Sequence, residues 1–255
     1  MRILVTNDDG IDAPGLAILE EAARSISDDV WVVAPATEQS GQSQALTLAD
    51  PLRIAQVGER RYAVDGTPAD CVTMALHVAM GRAPDLVLSG INKGFNIADD
   101  MAYSGTVGAA LHAATAGIRA IAFSQAYSRL GQEDEEDIWD ASRVHCAETL
   151  RTLLAVEQPR GTALNVNFPP VPAASVAGMA VVSQGMRSVH DIYVDDRIDA
   201  RGNPYYWVRF RREAGDAPAE TDLGAMAAHR IAVTPLRADL TDTAALAPLA
   251  AALSR

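Results

Sequence analysis

Two adjacent carboxylates, Asp8 and Asp9, follow the first apolar segment of the chain, Ile3–Thr6. The apolar residues of this segment are typical of a short buried strand, and Pro14 is a favourable first residue for a helix. Many nucleotide-binding α/β proteins place glycines at the first strand-to-helix turn, where backbone N–H groups bind phosphate. Two carboxylates at the same place repel a phosphate, so this turn predicts a different chemistry.

Side chains that carry oxygen also follow two other predicted strands. Ser40 lies in the polar loop after the segment Val30–Pro35, and Asn92 comes shortly after the segment PDLVLSG. A glycine-rich loop then leads to a predicted helix start, and it contains the remaining candidates, Asn96, Ser104, Gly105 and Thr106. Because open parallel sheets bind ligands at the carboxyl ends of their strands, we expect these side chains to share one edge of the sheet.

Carboxylate, hydroxyl and amide oxygens favour Mg²⁺, Mn²⁺ or Ca²⁺ over zinc. A divalent cation held by Asp8 and Asp9 explains how two carboxylates can lie beside a phosphate. The helix that starts at Ser104 offers backbone N–H groups to the same phosphate. Each segment alone is typical of an ordinary turn, loop or helix cap, so the prediction depends on their meeting at one edge. Lys93 either neutralises phosphate charge or simply faces solvent.

Strands that alternate with helices up to about residue 125 predict parallel βαβ units and a Rossmann-like α/β fold with a doubly wound, mostly parallel sheet. Farther along, ALNVNFPP, GMAVVSQG and YYWVRFRR predict strands without full helices between them, and HDIYVDDRIDARGNPYYW predicts a long turn-rich insertion. We expect one domain, residues 1–255, with a core of about residues 1–170. Residues 171–255 are expected to form an antiparallel, β-rich arm that ends in an Ala-rich helix.

The composition of the 255-residue chain excludes several classes of protein. Apolar residues make up 49%, charged residues 21%, and the formal net charge is −12. Nucleic acids and anionic membranes bind clustered Lys and Arg, so we expect neither as a partner. No apolar run reaches the roughly 18 residues of a membrane span, and Cys71 and Cys146 lie in no disulfide or metal-binding pattern. These features favour a reducing, cytoplasmic location.

Four segments make the chain similar to the SurE (survival protein E) family of 5′-nucleotidases: RILVTNDDGIDAPG, VVAPATEQSGQSQALT, GTPADCV and PDLVLSGINKGFNIADDMAYSGTVGAA. Weaker matches continue through RGNPYYW, ETD and VTPLRADLTD, so the resemblance spans nearly the whole chain. The resemblance implies a divalent-metal-dependent phosphomonoesterase that hydrolyses nucleoside monophosphates to nucleoside and phosphate. The substrate carries a 5′-phosphate, and 3′-nucleotidase activity stays open.

The resemblance also implies a role for each candidate residue. One Mg²⁺ or Mn²⁺ per subunit would be held by Asp8, Asp9, Ser40 and Asn92, and both aspartates would be catalytic. The phosphate would be bound by Asn96, Ser104, Gly105 and Thr106. Family members form dimers or tetramers by exchanging part of the C-terminal region, which implies a homodimer or homotetramer joined through the arm.

Two departures from the family pattern bear on these expectations. Ala98 stands where the family usually has glycine, so the loop that contains it is expected to follow a slightly different path. His229 and Arg230 replace the usual Gly-Tyr just before the VTPL segment. That position lies away from the expected metal site, so it bears on the arm and on assembly.

Two other classes of protein stay open on the residues alone. A phosphatase that forms an aspartyl-phosphate commonly has D-x-D after its first strand, whereas Asp8 and Asp9 are adjacent and follow Asn7. A receiver-like, non-enzymatic module also pairs acidic residues to hold Mg²⁺. It needs a phosphorylatable aspartate at the end of a central strand, where this chain has Ser89 and Asn92.

Overall fold

The structure, a computed structural model, describes residues 1–127, 138–187, 189–213 and 217–253. Its strands are β1 Ile3–Thr6, β2 Val30–Pro35, β3 Ile54–Gly58, β4 Arg61–Val64, β5 Leu86–Lys93, β6 Arg119–Gln125, β7 Thr162–Phe168, β8 Met179–Val181, β9 Val189–Ile198, β10 Pro204–Glu213 and β11 Ile231–Arg237. Its α-helices are α1 Pro14–Arg24, α2 Pro68–Met74, α3 Gly105–Thr115, α4 Asp140–Leu154, α5 Asp222–Ala227 and α6 Thr243–Leu253.

Nine strands form one sheet in the order β3-β4-β2-β1-β5-β6-β7-β11-β8. The six strands from β4 to β7 in this order are parallel. Strands β3 and β11 pair with them in the antiparallel direction. The chain places β2 on one side of β1 and β5 on the other, so the strand order reverses at β1. These features confirm the predicted doubly wound α/β fold.

Helices cover both faces of the sheet because successive side chains of its buried strands point to opposite faces. On one face, Ile3 and Val5 of β1 pack with Leu19 of α1 and Leu150 of α4. On the other face, Leu4 packs in the core cluster formed with α2 and α3. The central parallel strands β1 and β2 are therefore buried on both faces and are almost continuously apolar.

Local sequence determines where the helices next to the sheet edge begin. The Thr67 hydroxyl accepts a hydrogen bond of 3.1 Å from the Asp70 N–H, and the Asp70 carboxylate accepts one of 2.9 Å from the Thr67 N–H. Ser104 caps α3 in a similar way, since its hydroxyl accepts a hydrogen bond of 3.1 Å from the Val107 N–H. Pro14 is the first residue of α1. The predicted starts of α1 at Pro14 and of α3 after Ser104 are confirmed.

The C-terminal part contains an antiparallel hairpin where a turn-rich insertion was expected. Strands β9 and β10 pair over ten residues each, and only residues 199–203 connect them. The expectation of a long insertion was wrong because Ile192, Tyr193 and Val194 are β-branched or aromatic residues that favour a strand, despite the aspartates on either side of them. The acidic segment EDEED, residues 133–137, which is typical of a solvated helix start, lies outside the described residues.

Two more strands of the C-terminal part complete the main sheet. Strand β11 pairs with β7, and β8 pairs with β11 at the sheet edge. The Ala-rich segment forms α6, as predicted. Among the helices of the described ranges, none combines the length and the apolar character that crossing a membrane requires.

Candidate active site

A cavity of about 410 Å³ opens at the carboxyl edge of the parallel strands, beside β1 and β5. Open α/β sheets bind ligands at this place, where the strand order reverses. Five of the predicted site residues line the cavity, namely Asp8, Ser40, Asn92, Asn96 and Ser104. The other three, Asp9, Gly105 and Thr106, lie just behind its wall, and each adjoins a residue that lines it.

The carboxylate of Asp8 is buried in the wall of the cavity, with 4% of the residue exposed. The Thr106 hydroxyl in α3 donates a hydrogen bond of 2.5 Å to Oδ1 of Asp8. Burial and then the charge of Asp9 raise the pKa of Asp8 from 3.8 to about 7, while the hydrogen bonds from Thr106 act in the opposite direction. Near neutral pH the buried carboxylate of Asp8 is therefore stabilised when it binds a positive charge, either a proton or a cation.

Asp9 connects the turn after β1 to the end of β5. The backbone N–H of Lys93 donates a hydrogen bond of 3.1 Å to Oδ2 of Asp9. Burial raises the pKa of Asp9, the Lys93 N–H lowers it, and the charge of Glu38 raises it further. Lys93 itself lines the cavity. Lys93 is also exposed, so a role in neutralising phosphate charge stays a prediction.

Ser40 reaches the cavity from the loop after β2, and Asn92 reaches it from the carboxyl end of β5 itself. The Ser40 hydroxyl is exposed and donates a hydrogen bond of 2.9 Å to Oε1 of Glu38. The amide nitrogen of Asn92 donates a hydrogen bond of 2.9 Å to the Gly94 carbonyl, which leaves the amide oxygen to accept other contacts. The loop that carries Ser40 is tied to the first turn, because the Gln39 N–H donates a hydrogen bond of 2.7 Å to the Asp8 carbonyl.

Gly105, the first residue of α3, fits against Asp8 because it has no side chain. A methyl group at position 105 would lie 2.9 Å from both Cβ and Oδ2 of Asp8 and 3.1 Å from the ring of Pro68. The N-terminal end of α3 thus lies directly against the Asp8 carboxylate, where its partial positive charge favours the ionised form. The predicted phosphate-binding helix start consequently also holds a predicted metal ligand.

Three polar residues that the sequence analysis missed hold Asn96 in place. The Asn96 amide donates a hydrogen bond of 2.8 Å to the Ser124 hydroxyl, and its backbone N–H donates one of 2.8 Å to the Asn167 amide oxygen. Asn165 and Asn167 donate hydrogen bonds of 2.7 and 3.1 Å to the Asn96 carbonyl. A signal was present, since two asparagines in the apolar segment ALNVNF require buried partners.

The loop after Asn96 is anchored to the C-terminal part of the chain. The Ala98 N–H donates a hydrogen bond of 2.9 Å to Oδ2 of Asp222. Arg187, whose side chain is 5% exposed, forms an ion pair of 2.9 Å with Asp100. Its backbone N–H also donates a hydrogen bond of 3.0 Å to the Asp99 carboxylate. The second half of the chain therefore positions a loop that forms part of the cavity.

Both departures from the SurE pattern fall on left-handed backbone. Ala98 has a φ of +51° and His229 a φ of +55°. This conformation favours glycine because a Cβ atom is crowded there, which accounts for glycine at these positions in the family pattern.

The donors around the cavity suit a hard divalent cation. Among the residues that the structure describes, no group of three or more His, Cys, Asp or Glu residues could hold a metal ion. The candidate ligands are instead two carboxylates, one hydroxyl and one amide oxygen. Such a set suits Mg²⁺ or Mn²⁺, which retain water molecules in their coordination shells.

These features define a class of protein: a doubly wound α/β protein with an acidic, oxygen-lined cavity where its strand order reverses. The family model described as Survival protein SurE matches residues 3–191. The chain belongs to the SurE family, as the resemblance predicted.

Relatives match the chain over almost its whole length. A protein named 5′-nucleotidase SurE from Methylobacterium sp. (strain 4-46) is 52% identical over 254 residues, which cover 99% of this chain and 100% of the relative. One of the same name from Rhizobium meliloti (strain 1021) is 51% identical, covering 99% and 98%. The crystal structure of the SurE protein from Aquifex aeolicus superimposes with a TM-score of 0.81 at 36% identity, covering 97% of this chain and 98% of that one.

Proposed function

We propose that this protein is a 5′-nucleotidase, a phosphoric monoester hydrolase that converts nucleoside monophosphates to nucleoside and phosphate with one Mg²⁺ or Mn²⁺ per subunit. The observation that carries the proposal is the position of Asp8, buried in the cavity wall against the N-terminus of α3. Relatives named 5′-nucleotidase SurE, 51–52% identical over nearly the full chain, support this activity.

In this proposal Asp8, Asp9, Ser40 and Asn92 hold the cation. When bound, a divalent cation supplies positive charge to a phosphoryl oxygen and makes a water molecule more acidic. Burial raises the pKa of both aspartates, that of Asp8 to about 7, and this favours proton binding by the pair. We therefore assign the catalytic proton transfer to this pair.

The phosphoryl group is assigned to the neighbouring residues Asn96, Ser104, Gly105 and Thr106. Asn96 and Ser104 line the cavity. The N-terminus of α3 provides backbone N–H groups and a partial positive charge. These groups stabilise the charge on the equatorial oxygens, which is the main catalytic task in phosphoryl transfer.

We also propose that residues 171–255 join subunits into a homodimer or homotetramer. Exposed apolar side chains support this, since Tyr206, Trp207 and Val208 of β10 and Leu246, Leu249 and Leu253 of α6 are all more than half exposed. Large exposed apolar areas commonly mark protein interfaces. Light scattering coupled to size-exclusion chromatography tests the proposal, and a monomer at micromolar concentration would contradict it.

The activity is tested by phosphate release from AMP, from 3′-AMP and from p-nitrophenyl phosphate, in EDTA, Mg²⁺ or Mn²⁺. We expect release from AMP that depends on the cation and falls at least 100-fold in Asp8→Asn and Asp9→Asn. Asp12→Asn is the matched control, because Asp12 is an exposed acidic residue in the same loop. It should retain parental activity.

Three outcomes would contradict the proposal. Parental turnover in folded Asp8→Asn would remove the assigned role of Asp8. A phosphorylated Asp8 or Asp9, detected by mass spectrometry after an acid quench, would favour a phosphatase that forms an aspartyl-phosphate. Absence of release under every cation, by folded protein that still binds Mn²⁺, would favour the receiver-like module.

A further inference from the structure

Aromatic side chains form part of the same cavity that contains the oxygen donors. Tyr103, Tyr127 and Phe210 all line it. The ring centroids of Tyr103 and Phe210 are 5.5 Å apart, and the ring planes are tilted by 52°. This tilted contact presents an aromatic surface to the cavity that neither cation binding nor phosphate binding requires.

Phe210 reaches the cavity from the β9–β10 hairpin, which is otherwise exposed. Between residues 192 and 209, every side chain except Asp195 is exposed, whereas Phe210 is half-buried. Asp195 forms ion pairs with Arg197 and Arg209 of the hairpin itself. Phe210 is therefore a half-buried hairpin side chain that contacts Tyr103 and lines the cavity.

The sequence position of Tyr103 links the aromatic surface to the proposed phosphate site. Tyr103 directly precedes Ser104, the N-cap of α3. The Tyr103 carbonyl accepts a hydrogen bond of 3.2 Å from the Ser43 N–H, which connects it to the loop after β2. A ligand with an anionic group at the start of α3 and a flat ring a short distance away matches this arrangement. Nucleoside monophosphates have that shape.

We propose that Tyr103 and Phe210 form the nucleobase-binding wall of the site, and that Tyr127 borders it. The inference rests on the proposed nucleotidase function and adds its specificity-determining residues. Bases stack on aromatic side chains whatever their identity, because every base has a π-face. We therefore expect all nucleoside monophosphates to be preferred over phosphate esters without a base, and purines, with their larger rings, over pyrimidines.

The test compares AMP with ribose 5-phosphate, which has the same phosphate and sugar but no base. The measured quantity is the ratio of kcat/KM for AMP to kcat/KM for ribose 5-phosphate, in parent, Tyr103→Ala, Phe210→Ala and Phe210→Tyr. Loss of one stacking partner should lower this ratio by about 5- to 100-fold in the alanine variants. Phe210→Tyr keeps the ring and should keep the ratio within about twofold.

Tyr205→Ala is the matched control, because Tyr205 is an exposed aromatic residue on the same strand, lies outside the cavity and is not among the side chains assigned to the subunit interface. Its ratio should equal that of the parent. A Phe210→Ala variant that lowers kcat/KM for both substrates by the same factor would overturn the proposal, since Phe210 would then act only in folding of the hairpin. A ratio unchanged by both alanine substitutions would also overturn it.

Calorimetric binding of AMP separates this proposal from the proposed activity. If the parent binds AMP at least fivefold more tightly than Phe210→Ala but releases no phosphate, the result supports the base-binding wall and contradicts the nucleotidase function. If the parent hydrolyses AMP and ribose 5-phosphate with equal kcat/KM, the nucleotidase function stands and the base-binding wall fails. If the parent neither binds nor hydrolyses AMP, both are wrong.

Discussion

The backbone N–H of Ala98 donates a hydrogen bond of 2.9 Å to the carboxylate of Asp222, which lies 124 residues farther along the chain. Asp222 is fully buried and also accepts hydrogen bonds from the backbone N–H groups of Gly185 and Leu223, at 2.9 and 2.8 Å. One side chain thus joins the loop of the cavity, the segment after β8 and the start of α5.

Replacement of Asp222 by asparagine should loosen this junction. The Asp222→Asn side chain has one acceptor oxygen and turns an NH₂ group towards a backbone N–H. We expect the free energy of unfolding to fall by about 2 kcal/mol, and KM for AMP to rise because the loop is less ordered. Urea denaturation and steady-state kinetics measure both effects. Asp12→Asn is the control, and equal stability of the two variants would contradict the prediction.

Replacement of Ala98 by glycine should be nearly neutral. Two effects of the glycine lower stability: the loss of a buried methyl group and the greater freedom of the unfolded chain. A third effect raises stability, because glycine has no Cβ atom to crowd the left-handed backbone. We expect the three effects to cancel to within about 1 kcal/mol. Ala109, equally buried inside α3, has no such relief, so Ala109→Gly should cost about 1–2 kcal/mol. Thermal unfolding compares the two variants, and an equal loss in both would show that Ala98 carries no backbone strain.

Gly105→Ala should damage the site more than the fold. The added methyl group would lie 2.9 Å from Asp8, which has no freedom to retreat because Thr106 holds its carboxylate. We expect phosphate release from AMP to fall at least tenfold. The overpacked contact should also lower the free energy of unfolding by about 1–3 kcal/mol, a loss that leaves the chain folded. Full activity in this variant would show that Asp8 can move freely.

The metal-free protein should lose stability relative to Asp8→Asn as the pH rises from about 4 to about 7. Folded Asp8 has a pKa of about 7 against 3.8 for an ordinary aspartate. Between these values the folded chain binds a proton that the unfolded chain has released, so the contribution of Asp8 to the free energy of unfolding falls by at most about 1.4 kcal/mol per pH unit. Denaturation in EDTA at several pH values measures the difference between the two proteins.

Two further measurements check the same assignment. In Thr106→Val the pH range over which the protein loses stability relative to Asp8→Asn should extend above 7. The reason is that the hydrogen bonds from Thr106 lower the pKa of Asp8. Mn²⁺ should stabilise the parent more at pH 8 than at pH 6, since a cation ligand must first lose its proton. A difference between parent and Asp8→Asn that does not vary with pH would disprove the raised pKa.

Local features of the sequence determined the elements that frame the site and the types of its donors. Strand β1 ends at Thr6 and α3 begins after Ser104 as predicted, because apolar runs and helix caps act over about five residues. The acidic turn at Asp8 and Asp9 was equally visible. Such patterns depend on residues that are close in sequence, so they can be recognised before the fold is known.

Only the tertiary structure decided how the donors are held. Asn165 contacts Asn96 across 69 residues of sequence. Phe210 lies on a predicted strand, but its pairing partner β9 falls in the segment that was expected to be a turn-rich insertion. These contacts depend on strand order, register and the packing of one loop on another. Hydrophobic periodicity specifies which face of a strand is buried, but it does not specify which distant polar group lies opposite, because that choice follows from the assembled sheet.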